Sequence, residues 1–459
     1  MTNLRSHAKI DMTTGAILPK MLRFALPIMA ASILQLLFNA ADIAVVGKFC
    51  GDNALAAVSS NGSMVQLLTN LFIGFSTGAN VLVSRYYAAK EEQNLTETVH
   101  TAMLLAVLSG IVATIVGICS ARAFLTMMQS PPDVIDLAAL YLRIYFIGSV
   151  PVIVYNFGAA ILRAVGDTQR PLYILMASGV LNVVLNLIFV LVFHMSVAGV
   201  ALATILSQTL SAVLVIRCLM REEKAIRLIP KKLRIVPDKL KKVLQIGFPA
   251  GIQSTLFSIS NVVIQSSINS FGSITMSGNG AAENIEGFGY MAFNAFYQAI
   301  LSFTSQNYGK KRYRRILRVQ LVGQLCAAVV CLLFGILILL FGRNLLAIYS
   351  DTPAVIEAGM LRFSYIVPLF VLGATMDMLS AGLRGMGYSL RPMLCTFFGV
   401  CVVRLVWIAT VFRIPALHHI GTIYIAYPLT WGLTTCIHIV SFTLIMRSLL
   451  KDSGGAKLD

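Results

Sequence analysis

The sequence predicts an all-α polytopic membrane protein, with twelve transmembrane helices in two related six-helix bundles. Composition is the first reason. Of the 459 residues, 57% are hydrophobic and 12% charged, and mean hydropathy is +0.81, whereas soluble domains carry about 25% charged residues. The second reason is that the apolar residues fall in runs of roughly 20 or more, the length a helix needs to cross about 30 Å of hydrocarbon. The third is an internal repeat, in which landmarks of the first half return 221 residues later.

Spans are predicted at 21–47, 54–84, 97–120, 136–160, 171–193, 197–217, 243–269, 275–304, 317–341, 355–382, 392–412 and 421–446. Membrane strands alternate polar and apolar residues over about ten positions, and runs such as 174–193 do not. Residues 1–20 are mixed polar, and the first apolar run exceeds the roughly 7–15 residues of a signal core. The first span is therefore expected to remain as an anchor.

The repeat is carried by three landmarks. LRAVGDTQRP at 162–171 recurs as LRGMGYSLRP at 383–392, with five of ten positions identical. Pro27 meets Pro249 at an offset of 222, and Pro132 meets Pro353 at 221. The longest polar stretch lies between the copies, so the chain divides into a lobe at 1–217, a linker at 218–242 and a lobe at 243–459. Six spans per half insert both copies the same way up, which relates them by a pseudo-two-fold axis along the membrane normal. That symmetry places a central cleft between the bundles, and rocking would open it to either side.

The net charge of +17 does not point to nucleic acid, because no soluble basic module carries it. With both termini in the cytoplasm, 29 of the 36 lysines and arginines fall in or beside cytoplasmic segments. This is the positive-inside bias of a multi-pass protein of the cell membrane. Eight scattered cysteines form no CxxC pair and no metal-spaced cluster with histidine. Gly74-Phe-Ser-Thr-Gly78 fits GxSxG, but that motif works on a strand-to-helix turn, and here it sits inside a span. These two glycines, like Gly247 and Gly251, read instead as small residues for close helix packing. No convergent catalytic set and no P-loop is present, so the chain reads as a non-enzyme without a cofactor, driven by an ion gradient or by a partner ATPase.

Ionisable groups within a membrane cost roughly 2.5–3.5 kcal/mol on insertion scales and are functional candidates. Asp42 lies deep in the first span, three residues after Asn39, and Asp377 lies in the tenth. Glu286 lies in the eighth and Arg404 in the eleventh, where it is expected as a structural counter-charge to a carboxylate. Asn182 and Asn186 are four apart in the fifth span and share a helical face. Asn156 occupies the repeat position of Asp377. With Asp42, the asparagines predict a polar pocket inside the first half. A proton, Na⁺ or an organic cation would each neutralise a buried Asp42 carboxylate, so mutual exclusion would couple ion entry to cation export.

The opening GAILPKMLRFALP at 15–27, DIAVVG at 42–47, ALAAV at 54–58, the doubled LRxxGxxxRP block and SQNYG at 305–309 resemble the MATE (multidrug and toxic compound extrusion) family over essentially the whole chain. The resemblance implies antiport of H⁺ or Na⁺ against small organic cations, across the lipid bilayer, by a chain working as a monomer with no obligate protein partner. It matches Asp42 to the family's first-span carboxylate, Asp377 to its tenth-span carboxylate and Asn182 to its fifth-span asparagine. It matches Pro27 to the proline near which the first helix bends. Asn186 stands where some members carry a second aspartate, and no glutamate lies near Phe257 and Ser258 in the seventh span. With fewer fixed carboxylates for a metal ion, the proton is favoured. The alternative within the superfamily is a flippase for a lipid-linked sugar.

Overall fold

The computed structural model describes residues 9–50, 54, 57–58, 62–127, 132–222 and 224–452. The start of the second predicted span lies partly outside these residues. Every regular element among them is a helix. In chain order these are α1 (Ile17–Phe49), α2 (Gly62–Ala89), α3 (Glu92–Met127), α4 (Pro132–Ile147), α5 (Ser149–Ala164), α6 (Gln169–Leu187) and α7 (Val197–Met220). They continue as α8 (Pro237–Asn269), α9 (Ser273–Gly309), α10 (Tyr313–Ala347), α11 (Pro353–Ile366), α12 (Phe370–Gly385), α13 (Leu390–Thr396), α14 (Val403–Ala409) and α15 (Ile420–Asp452).

By length and composition, eight of these stretches are apolar enough to cross a membrane, and α4 with α5 makes a ninth bent by 47°. The bend has a local cause. Gly148 sits between the two helices and Pro151 follows in the first turn of α5, where its ring and missing N–H prevent continuation from α4. α2, α8 and α9 lie where the second, seventh and eighth spans are predicted and are long enough, at 28, 33 and 37 residues. Their polar residues keep them below the apolar threshold: α8 opens on a lysine-rich turn and α9 carries Asn279, Glu283, Asn284 and Glu286. α8 begins at Pro237, inside the stretch read as linker, because proline suits a helix's first position and Asp238 favours the first turn.

The chain forms two compact units: 1–11 with 26–255, and 12–25 with 256–459. In unit 1, α5 packs on α2, α3 and α7, while α4 bridges α3 and α7. In unit 2, α12 packs on α9, α10 and α15, while α11 bridges α9 and α15. α12 repeats the contacts of α5, since α3 and α10, α4 and α11, and α5 and α12 each start 221 residues apart. α4 and α11 differ, α11 packing mainly on α9 where α4 packs on α3. Phe146, Leu142, Leu125 and Val200 centre one apolar core in unit 1. Ile316, Leu383, Phe442 and Met446 centre another in unit 2. The outward faces are apolar as well: Leu332, Leu333, Leu339 and Leu340 of α10 are all exposed, as a lipid-facing helix requires.

The repeated LRxxG block is a helix stop. Gly166 (φ 91°) and Gly387 (φ 94°) take the left-handed conformation that a side chain disfavours. At the first, the N–H of Asp167 donates to the Leu162 carbonyl at 3.0 Å, and that of Gly166 to Arg163 at 3.0 Å. At the second, Tyr388 donates to Leu383 at 3.0 Å and Gly387 to Arg384 at 2.8 Å. Both are Schellman caps, which satisfy the orphan carbonyls of a helix end. Lys90 (φ 60°) and Lys311 (φ 57°) close α2 and α9 with the same bond pattern.

The glycine pairs read as packing residues do pack. A Cβ on Gly74 would fall on the backbone of Gly251, and one on Gly247 on the backbone of Phe75, so α2 and α8 touch backbone to backbone within unit 1. Outside the apolar spans, Glu222 is clasped by Lys9 at 2.6 Å and by Arg170 at 2.5 Å, and Arg170 also pairs with Asp167. Burial pushes the Glu222 carboxyl up, but the Lys9 hydrogen bond and the Arg170 guanidinium outweigh it and hold the group below its ordinary value.

Candidate functional site

Unit 1 brings three of the sequence-predicted residues together. Asp42 is half-buried on α1, and Asn182 and Asn186 are buried one turn apart on α6. The Asn186 amide donates to the Asp42 carboxylate and, at 3.5 Å, to the Asn182 carbonyl oxygen. Asn182 in turn donates to the Thr204 hydroxyl on α7 at 3.5 Å. The helix opens into a π turn, Ile188–Val192, directly after Asn186, a distortion frequent at functional sites. Tyr141 and Tyr145, stacked at 6.1 Å on α4, lie within electrostatic reach of Asp42.

A carboxylate bound to one amide, ringed by neutral polar groups and lacking a cation of its own among the described residues, has room for a proton or a small cation. Thr204 and the two tyrosines were not singled out from sequence. Their signal was present: Tyr141 and Tyr145 are four apart on one helical face.

The other candidates lie elsewhere. Asn39 is exposed, and no bond joins it to the Asp42 cluster among the described residues. Asn156 donates to its own helix, at the Val152 carbonyl, 2.8 Å away. Pro27 lies inside an unbroken α1, two residues past the point where the helix passes from unit 2 to unit 1. Asp377 is half-buried on α12, within electrostatic reach of Arg384 and Tyr290.

Glu286 is fully engaged. Arg362 grips it with two hydrogen bonds of 3.0 and 2.7 Å, and reaches Asn279 at 2.8 Å with a third nitrogen. Breaking such a buried pair costs about 3–5 kcal/mol, which is the signature of a structural clamp. Arg404 was expected opposite a carboxylate, yet it forms no ion pair among the described residues. Its nitrogens meet Thr430 at 3.1 Å and Asn261 at 3.2 Å, because Arg362 has already taken Glu286. Arg362 is the residue that sequence reasoning passed over, although it lies seven residues inside the predicted tenth span.

Comparison with known proteins bears on the whole chain. The MatE family profile matches it twice, over residues 27–188 and 249–410, two copies offset by 222 residues. The chain belongs to the MatE family. MatE proteins are membrane transporters rather than enzymes, and the family requires no cofactor. A probable multidrug resistance protein of Bacillus subtilis, YpnP, is 25% identical over 86% of this chain and 88% of its own. The probable multidrug resistance protein NorM of Thermotoga maritima is 26% identical over 84% of each chain. A crystal structure of a MATE protein in its bent conformation superposes with a TM-score of 0.89 at 20% identity, covering 98% of this chain and all of that one.

Proposed function

We propose that this MatE protein is a secondary antiporter that exports small, mostly cationic organic compounds in exchange for H⁺ or Na⁺. The observation that carries the proposal is the Asp42–Asn186–Asn182 cluster, a carboxylate set among amides inside apolar helices. The carboxylate takes up the coupling cation, and its neutralisation weakens the hold on an organic cation, so the two occupy the site in turn. With neutral amides supplying the remaining ligands, the proton is the favoured ion over Na⁺. Asp377 is a second titratable group of the same kind in unit 2. The names of the relatives, multidrug resistance proteins of two bacteria, support this substrate class. The protein works as a monomer in the cell membrane with both termini in the cytoplasm, alternating access between its two sides.

Ethidium uptake into everted vesicles, which corresponds to efflux from the cytoplasm, tests the reading when the proton and Na⁺ gradients are dissipated in turn. Efflux should collapse with the proton gradient and persist without the Na⁺ gradient. Collapse with Na⁺ alone would reassign the ion. Absence of dye efflux together with binding of a pyrophosphate-linked lipid would replace the antiporter with a flippase.

A further inference from the structure

We propose that unit 2 holds a binding site for an anionic group, centred on Arg404 and suited to the carboxylate of an aromatic compound. Arg404 is 1% exposed, and its Nη2 is buried with no hydrogen-bond partner among the described residues. Nε donates to the Thr430 hydroxyl at 3.1 Å and Nη1 to the Asn261 carbonyl oxygen at 3.2 Å, both neutral acceptors. A second cation, Arg362, lies within its electrostatic reach. Arg362 is itself satisfied by Glu286, with exposed Glu283 also within its electrostatic reach. Glu286 therefore pairs with Arg362 alone, and the unpaired positive charge rests on Arg404.

A buried charge is tolerated when paired and hydrogen-bonded. The rings of Tyr427 at 4.4 Å and Phe257 at 5.6 Å supply cation–π attraction, which replaces only part of the hydration a guanidinium gives up. An anion at Nη2 completes the set, and guanidinium is matched to carboxylate in geometry. The surroundings favour an aromatic bearer of that carboxylate. Phe257 and Asn261 lie one turn apart on α8 and are only half-buried, which leaves an approach to the site. Tyr427 lies between the two guanidiniums, 5.3 Å from Arg362, with Trp431 edge-on at 6.0 Å.

The repeat places this charge tellingly. The offset is 221 at Pro171 and Pro392, and the π turn Phe397–Val402 inserts one residue before Arg404. At 222, the offset of the two family matches, Arg404 is the counterpart of Asn182. The same position serves a carboxylate–amide cluster in unit 1 and carries a fixed cation in unit 2. The proposal is independent of how Asp42 couples transport, so either can fail alone.

Of the chain's two tryptophans, Trp431 packs edge-on to Tyr427 and Trp407 lies three residues after Arg404, so intrinsic fluorescence of the purified full-length protein reports on the site. In gluconate buffer, benzoate should give a saturable change and neutral benzamide none. Arg404→Gln, eluting as a monodisperse protein, should weaken benzoate binding at least tenfold. If chloride alone gives a saturable change and competes with benzoate, the resident anion is a halide; if chloride is silent, it is an organic carboxylate. Either supports the site. Should Arg404→Gln fail to fold, melting of the wild type decides: a higher melting temperature with benzoate or chloride but not benzamide supports it, and no rise with either anion overturns it. Equal binding of benzoate and benzamide, or wild-type affinity in folded Arg404→Gln, would also overturn it.

Discussion

In unit 1 the polar centre is a carboxylate held by an amide; around Tyr427 in unit 2 lie two buried guanidiniums, of which only Arg362 is paired with a buried carboxylate. The scaffolds beneath these centres are alike. Both units pack their central helices, α5 and α12, on equivalent neighbours, and share the glycine stops at Gly166 and Gly387 and the lysines in left-handed turns at Lys90 and Lys311. The difference teaches what duplication constrains. Caps and close crossings are needed wherever the fold is built twice, so they recur. Interior polar side chains hold no helix end, so charge at equivalent positions was free to reverse. Unit 2 spends Glu286 on a structural clamp, and unit 1 leaves Asp42 for a cation.

The largest expected effect sharpens that contrast. Arg362→Leu strands Glu286 as a buried, unpaired charge and should cost about 3–5 kcal/mol, seen as a large drop in melting temperature of the purified protein. An unchanged melting temperature would mean that Glu286 is not held by this pair and remains available for transport. Next are the helix stops. Gly166→Ala forces a side chain into the left-handed region, at about 1–2 kcal/mol, and also drives its Cβ onto the backbone of Ile10. It should therefore lower the melting temperature of the purified protein, and an unchanged melting temperature would show that this cap bears no load.

These contrasts also mark how far sequence could lead. The helical membrane class, the repeat and the Asp42–Asn186 neighbourhood were legible because depth in an apolar run and helical spacing are written directly in the order of residues. The partner of Glu286 was not. Arg362 and Glu286 are 76 positions apart on different helices, and only packing brings them within 3.0 Å. The same holds for Thr204 on α7, which joins the Asp42 cluster through a fold contact and no local pattern. The polarity of α2, α8 and α9 was visible, but a span was read through it because the apolar residues around it are long enough.

A smaller effect concerns Glu222, whose ordinary value is 4.5 and whose folded value lies lower. Folding favours its charged form, so its contribution is complete above about pH 4.5 and disappears as pH falls through the depressed value. Glu222→Gln should accordingly lower the melting temperature at pH 7, and the gap from wild type should close below pH 4.5; a gap independent of pH would remove the charge from the account. The smallest effect is a gain. Lys311→Gly relieves a left-handed lysine and should stabilise by about 1 kcal/mol or less, measured as a slight rise in melting temperature, with Lys90→Gly behaving alike if the two turns are equivalent.

The central claim is that the Asp42 carboxylate couples ion entry to export, and ethidium uptake into everted vesicles by Asp42→Asn, which corresponds to efflux from the cytoplasm, tests it most directly. The substitution keeps the side chain's size and its place beside Asn186 while removing the charge. The account predicts normal insertion into the membrane with gradient-driven efflux lost. Gradient-driven efflux at the wild-type rate in Asp42→Asn would contradict it.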